Sequence, residues 1–309
     1  MYDLVIVGGG PAALSAAFYA QNKRLDVMMV YEELGGKTNW NRGLNAATPR
    51  NGLPGNEMVD MLVLRTARKG RVIHDRVVSV QRRDDRFALA TAQGAAVETR
   101  AVLVATGATP RRLEVPGVQH LLKQGLGYSL TTFAHQVEGC RVAVIGATPR
   151  SLRGVAEIMH SAQHLYVISA EPELPDLPFG EALRRAPNLE VLTGTAIRDV
   201  IGLDSAKSVV VECDGTIRHL PADRIFVDLG LIPNTGFLQA LDVLDPDGFV
   251  VVDEVNATAV PGLYAAGDVT TGAFGEQVLI AIGDGARAAV SAYEYLLAGQ
   301  LGALAPAQA

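Results

Sequence analysis

Residues 2–7 of this 309-residue chain read YDLVIV and are followed by GGGPAA at residues 8–13, and these two runs are the strongest indication of its fold. The first run is apolar and predicts a buried strand, and the alanine-rich stretch after the glycines predicts a helix. Gly8 allows the tight turn between them, Gly10 lets the backbone approach a pyrophosphate, and Ala13 permits close packing of the helix on the strand. The stretch therefore predicts a strand–turn–helix unit that binds a dinucleotide.

The residues on either side of this helix complete the pattern. The helix is expected to begin at Pro11 and Ala12, where free N–H groups and the positive end of the helix dipole favour phosphate. The next apolar run, 25–30, is followed by two acidic residues. Glu32 lies about 20 residues beyond the glycines and is the expected ribose-binding acid, with Glu33 as the competing assignment.

The composition excludes several classes of protein. Hydrophobic residues make up 49% of the chain and charged residues 19%, which is typical of a well-buried globular protein. The net charge of −6 argues against a general nucleic-acid binder. No apolar run approaches the ~20 residues that cross a bilayer, and the strand pattern at Tyr2 leaves no room for a signal peptide. We therefore expect a cytoplasmic protein without a membrane partner.

Cysteine use points to a reducing compartment. Cys140 and Cys213 are the two cysteines, and they are far apart in the sequence. This spacing is neither a disulfide framework nor a set of metal ligands, so we expect two unpaired thiols and no metal site.

A second strand–turn–helix unit begins at 141–145, with Gly146 at its turn, and the segment 110–117 before it has the composition of a linker. Two such units in one chain imply two nucleotide-binding-like domains. The expected fold class is α/β, with two Rossmann-like (three-layer) domains, the second inserted into the first. The expected boundaries give a first, discontinuous domain at 1–112 and 244–309 and an inserted domain at 113–243.

The far end of the chain adds a flavin-specific signal. Gly267 and Asp268 follow an apolar strand, and an Asp there can accept hydrogen bonds from a ribitol hydroxyl. A long helix begins near Gln277 and Val278. Its N-terminus can face the pyrimidine end of an isoalloxazine, where reduction places negative charge.

Several short stretches recur in a characteristic order and spacing: 8–13, Ala105-Thr106-Gly107, Gly230 with Pro233-Asn234, 265–268, 277–278 and Gly283-Asp284-Gly285. Through them nearly the whole chain resembles the low-molecular-weight thioredoxin reductases, which are FAD-dependent pyridine nucleotide-disulfide oxidoreductases. The resemblance implies an FAD-binding domain at 1–112 and 244–309, an inserted NAD(P)H-binding-like domain at 113–243, and a homodimer. It also implies contact of Asp268 with the ribitol and of the 277–278 segment with the flavin ring.

The segment after Glu33 differs in detail from the family. The family's Gly-Gly-Gln is Gly35-Gly36-Lys37 here, and Lys37 near flavin N5 or the N1–C2 oxygen region would raise the flavin potential. Trp40, in the longer loop that follows, either stacks on a ring or packs on its own loop. The candidate cofactor-binding residues are Gly8, Gly10, Pro11, Ala12, Glu32, Glu33, Gly36, Lys37, Asn45, Ala105, Thr106, Gly107, Gly267, Asp268, Gln277 and Val278.

Two catalytic features of the family are missing. Ser129 and Thr132 stand at the positions of its Cys-x-x-Cys, and a hydroxyl forms neither a disulfide nor a thiolate pair with flavin. We therefore assign no catalytic residue. In the second turn, Thr148 replaces a glycine and Pro149 removes an N–H donor, while Glu171 stands where a cluster recognising the NADPH 2′-phosphate is basic. NADPH is therefore not expected.

Three functions fit these features. The first is an FAD-dependent oxidoreductase that exchanges electrons with a ferredoxin-like carrier, with a second FAD as an open possibility. The second is an NAD(P)H-dependent flavin or ferredoxin reductase of thioredoxin-reductase type. The third is a non-catalytic flavin-binding sensor or scaffold, so enzymatic activity itself is open. The basic residues Arg68, Lys69, Arg71, Arg82 and Arg83 either dock an acidic carrier or are ordinary solvated charges.

Overall fold

We analysed the protein as a computed structural model that describes residues 1–39, 55–66, 71–130, 134, 136–272 and 277–304. Trp40, Asn45, Arg68, Lys69 and Thr132 lie outside the described residues. The elements of the first part of the chain are β1 Tyr2–Val7, α1 Pro11–Asn22, β2 Val27–Tyr31, α2 Gly55–Thr66, β3 Arg71–His74, β4 Val77–Arg83, β5 Arg86–Thr91, β6 Ala96–Val104 and β7 Ala108–Pro110.

The remaining elements follow in chain order. They are α3 Val118–Leu121, β8 Leu126–Gly127, β9 Arg141–Ile145, α4 Pro149–Ile158, β10 His164–Ile168, α5 Gly180–Arg184, β11 Leu189–Leu192, β12 Ala196–Gly202, β13 Ala206–Cys213, β14 Thr216–Pro221, β15 Arg224–Val227, β16 Leu231–Pro233, β17 Leu263–Ala265 and α6 Val278–Leu304.

The chain divides into two compact units, Met1–Thr109 with Ile232–Ala309, and Pro110–Leu231. The second boundary between the units lies after Leu231 in the structure, whereas the sequence predicted it after residue 243. Leu238 and Val243 are buried with the apolar side chains of β4, β5 and β6, so the chain has already rejoined the first unit there. Which ligand each unit binds stays a prediction.

The first unit is built on a seven-stranded sheet in the order β3-β2-β1-β6-β5-β4, with β17 also paired to β6. Strand β1 is parallel to β2 and β6, and β17 is parallel to the last residues of β6. Alternate residues of β1 enter different cores: Leu4 and Ile6 pack with α1 and α6, and Val5 and Val7 pack on the other face. The carboxyl ends of β1, β6 and β17 therefore meet at one edge.

The second unit has a parallel sheet in the order β11-β10-β9-β15-β8 and a three-stranded antiparallel sheet, β12-β13-β14. Helix α4 covers one face of the parallel sheet through Leu152, Val155 and Ile158. Strand β13 covers the other face through Val209 and Val211. This three-layer arrangement confirms the predicted α/β class. No helix in the described parts of either unit is long and apolar enough to span a membrane.

Candidate functional site

The turn after β1 leaves open space in front of α1. Gly8 has a φ of +124°, and a Cβ there would overlap the carbonyl oxygen of Ala105, so both its conformation and its surroundings require glycine. Gly10 has an ordinary extended backbone, with φ −79° and ψ −176°, and a Cβ there would meet no atom within 4 Å. It caps α1 without any side-chain hydrogen bond. The start of α1 thus presents bare backbone to a space that a phosphate can fill.

The segment after β2 lies against this turn. The N–H of Gly35 donates to the carbonyl of Gly9 at 2.7 Å, and a Cβ on Gly36 would lie 3.1 Å from the Cα of Gly10. The side chain of Lys37 extends from this segment to the turn after β17, where its Nζ is 2.7 Å from Oδ2 of Asp268. The structure thus brings Gly10, Gly36, Lys37 and Asp268 together, and it places the Lys37 ammonium at the acid expected to bind ribitol.

Helix α6 closes the site by direct contact with α1. A Cβ on Gly285 would overlap the carbonyl oxygen of Ala12, so the two helix backbones touch. Gly267, with a φ of +77°, would place a Cβ 3.1 Å from the Cβ of Ala12. Val278 packs at the edge of the α1 core, and the N–H of Ala281 donates to the carbonyl of Gln277 at 3.0 Å. The 277–278 segment therefore starts α6 beside the start of α1.

Asp284 is an acidic member of this site that was not among the predicted cofactor-binding residues. Its side chain is 15% exposed and 3.9 Å from Nη1 of Arg287. Burial raises its pKa and the charge of Asp268 acts in the same direction, whereas Arg287 and the N–H of Gly267 lower it. The Gly283-Asp284-Gly285 stretch was the available sequence signal, but only contact with the 267–268 turn gives the carboxyl its place.

The turn after β6 is held by Asn234. Thr106 donates its hydroxyl to the Asn234 carbonyl at 2.7 Å, and the Asn234 side-chain amide donates to the Thr106 carbonyl at 3.0 Å. Thr109 donates to the Asn234 side-chain oxygen at 3.2 Å. Ala105 lies under Gly8, so Ala105, Thr106 and Gly107 belong to the same edge of the sheet as the first turn. Asn234 therefore positions this turn.

Glu32 and Glu33 follow β2 at the same edge. The Glu32 carboxylate is 65% exposed and lies 3.9 Å from Nε of Arg76. Glu33 meets the turn through its backbone, because a Cβ on Gly9 would overlap its carbonyl oxygen. Glu32 therefore remains the better placed ribose-binding acid, and that role stays a prediction.

The turn after β9 begins like the first turn. Gly146 has a φ of +109°, and a Cβ there would overlap the carbonyl oxygen of Asp228, which follows the neighbouring strand β15. Its N–H donates to the carbonyl of Ile168 at 2.8 Å, just as that of Gly8 donates to Val30 at 2.8 Å. The path of the chain from strand to helix is the same in the two units.

The second turn differs two residues later. Thr148 caps α4, and its hydroxyl accepts the N–H of Ser151 at 3.0 Å. Pro149, which has no N–H, is the first residue of the helix. Arg150 reaches from that first turn to Asp228 and donates from Nε to Oδ2 at 2.8 Å and from Nη2 to Oδ1 at 2.5 Å. Side chains of the protein itself therefore occupy the start of α4.

The two cysteines are free thiols with local contacts. Cys140 lies 3.6 Å from the carbonyl of Gln136, and Cys213 lies 3.9 Å from the side chain of Asp214. Within the described ranges, no group of three or more His, Cys, Asp or Glu residues is arranged to hold a metal ion.

The first turn fits a dinucleotide on its own geometry. It combines an open backbone cradle at Gly10, a helix start whose N-cap residue is a glycine, an exposed acid after β2, and a partly buried acid, Asp268, across the space. A family model described as "Pyridine nucleotide-disulphide oxidoreductase" matches residues 2–291. The chain belongs to this family. The family binds FAD, and the resemblance that the sequence predicted is confirmed.

Similar proteins support the same family and fold. An alkyl hydroperoxide reductase subunit of Staphylococcus epidermidis is 32% identical over 301 residues, covering 96% of this chain and 59% of that protein. The corresponding protein of Staphylococcus aureus is 31% identical with the same coverage. The chain thus spans 59% of the length of these curated relatives.

Solved structures agree on the fold. Thioredoxin reductase from Streptococcus pyogenes has a TM-score of 0.82 at 24% identity and covers 96% of this chain and 99% of its own. Thioredoxin reductase from T. acidophilum has a TM-score of 0.64 at 27% identity and covers 95% and 98%. The two-domain Rossmann fold of the thioredoxin-reductase type is therefore confirmed.

Proposed function

We propose that this family member is an FAD-dependent oxidoreductase that works without a redox dithiol and without NADPH. Its electrons enter or leave through flavin by way of a small carrier of the ferredoxin kind. The observation that carries the proposal is the contrast between the open turn at Gly10 and the filled turn at Thr148 and Arg150.

FAD is proposed for the first turn. Gly8, Gly10, Pro11 and Ala12 would face the pyrophosphate, and Glu32 a ribose. Bound FAD supplies electron transfer in single or paired steps. The other proposed contacts are Glu33, Gly36, Lys37, Asn45, Ala105, Thr106, Gly107, Gly267, Asp268, Gln277 and Val278.

We propose that the flavin does not exchange electrons with a dithiol of this chain. Cys140 and Cys213 are the chain's two cysteines, and each lacks a second cysteine at Cys-x-x-Cys spacing. Ser129 stands at one of the two expected thiol positions, and a serine hydroxyl does not take part in thiol–disulfide exchange. We therefore propose that this chain lacks the thioredoxin reductase and alkyl hydroperoxide reductase activities for which the similar proteins are named.

The second turn argues against a second dinucleotide. The Thr148 hydroxyl already accepts a helix N–H that a phosphate would need, and Pro149 offers none. We propose a single FAD per chain, and no NADPH, for this reason. Retention of Gly146 and its turn is the feature that favours the competing function, an NAD(P)H-dependent reductase.

The carrier is the remaining part of the proposal. A carrier of this kind is acidic, and Arg82 and Arg83 are exposed at the end of β4. We also propose a homodimer, because helix α2 exposes 62% of Met61 and 68% of Leu64. Sedimentation of the FAD-loaded protein tests this: a dimer mass is expected, and a monomer mass at all concentrations would remove it.

Anaerobic mixing of the FAD-loaded protein with separate donors tests the function. We expect slow or no bleaching of the flavin with NADH or NADPH and fast bleaching with a chemically reduced ferredoxin. Rapid bleaching by NADPH would replace our proposal with the nicotinamide-dependent reductase. Reduction by dithionite alone, with no transfer to any carrier, would leave the flavin-binding sensor or scaffold.

A further inference from the structure

Asp228 lies at the edge of the second unit's sheet where Rossmann folds receive dinucleotides. It follows β15, its N–H donates to the carbonyl of Ile145 at 2.8 Å, and its own carbonyl lies under Gly146. The carboxyl ends of parallel strands and the adjoining helix start form the binding crevice in such folds. The Asp228 carboxylate is therefore beside the place that a pyrophosphate would take.

The carboxylate is held tightly there. Arg150 binds it with both arms of its fork, at 2.8 and 2.5 Å, and the N–H of Gly230 adds a contact at 3.3 Å to Oδ1. The Asp228 side chain is 11% exposed and that of Arg150 is 20% exposed. A bidentate pair with so little solvent around it is much less screened than a surface pair.

The Arg150–Asp228 pair disfavours a phosphate in the crevice in two ways: it engages the guanidinium, and it places a negative charge nearby. A guanidinium in the first turn of α4 would favour an anion, but two of its donor nitrogens are directed at Asp228. The carboxylate contributes a negative charge at short range from any phosphate in the crevice, and charges so close repel strongly in a partly buried site. Opening the pair would leave a charge unpaired.

We infer that the Arg150–Asp228 ion pair is the specificity element that excludes pyridine dinucleotides from the second Rossmann turn. This inference rests on the proposed function, which already holds that the protein does not use NADPH. The two charged side chains exclude the dinucleotide in addition to Thr148 and Pro149, and removing the negative charge reverses their contribution.

The chain provides a matched control at the opposite edge of the same sheet. Arg141, the first residue of β9, donates to Asp223 from Nε at 3.0 Å and from Nη2 at 2.8 Å. The two pairs share the Arg–Asp fork and the same unit, but Arg141–Asp223 is away from the carboxyl ends of the strands. The substitution Asp223→Asn therefore changes the same charge without touching the crevice.

The test is binding of NADPH and NADH to the FAD-loaded protein by equilibrium titration. Asp228→Asn preserves the side-chain shape and is expected to tighten NADPH binding by about tenfold or more over the wild-type protein, which is on the order of 1.4 kcal/mol. Asp223→Asn is expected to leave it unchanged. Arg150→Ala, which leaves the carboxylate, is expected to give no gain. Circular dichroism reports whether each variant is folded.

A second variant covers the case in which Asp228→Asn does not fold. Replacing both partners with apolar residues, Arg150→Met with Asp228→Leu, avoids an unpaired buried charge. It is expected to bind NADPH more tightly than the wild-type protein but less tightly than Asp228→Asn, because the guanidinium is gone. If the folded variants bind NADPH no better than the wild-type protein, the inference is overturned while the proposed function stands. Tight binding of NADPH by the wild-type protein would overturn both.

Discussion

The two strand–turn–helix units of this protein follow the same backbone path, but the starts of their helices, α1 and α4, have different surroundings. Gly8 and Gly146 both adopt a positive φ, both donate their N–H at 2.8 Å, and both lie against a carbonyl of the neighbouring strand. The next key position is bare backbone at Gly10 and a capping side chain at Thr148. The first glycine of the fingerprint is thus required by the fold of both turns, and the second is the position at which the two turns differ.

The helix starts make the same distinction in hydrogen bonds. A helix leaves its first N–H groups without intrahelical partners, and they are satisfied by a cap, by water or by a ligand. At α1 the N-cap residue, Gly10, has no side chain that could accept an N–H, whereas at α4 Thr148 accepts the N–H of Ser151. A strand–turn–helix unit can therefore keep its fold without a ligand at the helix start, provided that its own side chains make these contacts.

Transferring the capping residue to the first turn is expected to have the largest effect. Gly10→Thr has room for its Cβ and an ordinary φ, so the chain should fold. We expect FAD affinity to fall at least about a hundredfold, which is on the order of 2.7 kcal/mol, because the new side chain stands where the phosphates approach. Fluorescence titration of the FAD-free protein measures this.

Stability provides the control for that variant. A threonine cap in place of glycine typically changes helix stability by only a few tenths of a kcal/mol. The free energy of unfolding of the FAD-free Gly10→Thr protein, measured in urea, is therefore expected to equal that of the wild type or to be slightly larger. Unchanged FAD affinity in a folded Gly10→Thr protein would break the distinction between the two glycines.

Substitution of the first glycine of each turn, Gly8 or Gly146, is expected to lower stability by a similar amount in the two units. Gly8→Ala and Gly146→Ala each force a Cβ into a carbonyl oxygen at a left-handed backbone position. We expect each to lower the free energy of unfolding by about 1–3 kcal/mol. Denaturant unfolding of both variants without FAD makes the comparison. A large loss at one position and none at the other would show that the turns are not equivalent.

Removing the cap of α4 is expected to cost less. Thr148→Ala leaves the N–H of Ser151 without its side-chain acceptor, so the free energy of unfolding should fall by about 1 kcal/mol. FAD affinity should not change, because the first turn is untouched. Thermal unfolding with and without FAD separates the two effects, and a loss of FAD affinity would contradict the assignment of flavin to the first turn.

The smallest expected effect is the acid dependence of the Arg141–Asp223 pair. The Arg141 guanidinium lowers the pKa of Asp223 to about 2, against about 4 in an unfolded chain. A carboxyl whose folded pKa is depressed stabilises the protein above its unfolded pKa and loses that contribution as pH falls through the folded value. The pair is partly exposed, so its contribution is at most about 1 kcal/mol.

This effect is measurable as a difference between wild type and Asp223→Asn. The difference in free energy of unfolding should be constant from pH 7 down to about 4 and shrink between about 4 and about 2. A difference that does not depend on pH would show that the interaction of Asp223 with Arg141 is not ionic.

The strand–turn–helix units were predictable because their signals are local. Gly8 and Gly146 each follow an apolar run and precede a helix, and that order alone indicates the fold. The Lys37–Asp268 and Arg150–Asp228 pairs were not predictable, since 231 and 78 residues of chain separate the partners and only the folded sheets bring them together. Lys37 was predicted to bind the cofactor without a defined reach, and the structure pairs its ammonium with Asp268, the acid that the resemblance assigns to the ribitol.

The division of the chain shows the same limit. The linker at 110–117 was predictable from its prolines, and the first boundary between the units, after Thr109, is close to it. The second boundary lies earlier than predicted, because Leu238 is already buried in the core of the first unit. The residues around Leu238 give no periodic pattern that would have indicated this burial. Packing against β4 and β5 determines that boundary.

The stoichiometry of dinucleotide binding tests the difference between the two turns most directly. The FAD-free protein is titrated with FAD to saturation, and the loaded protein is then titrated with NADPH by calorimetry. We predict one equivalent of FAD per chain and no saturable binding of NADPH. Two equivalents of FAD, or saturation by one equivalent of NADPH, would show that the second turn is open and would contradict the proposed difference between the two turns.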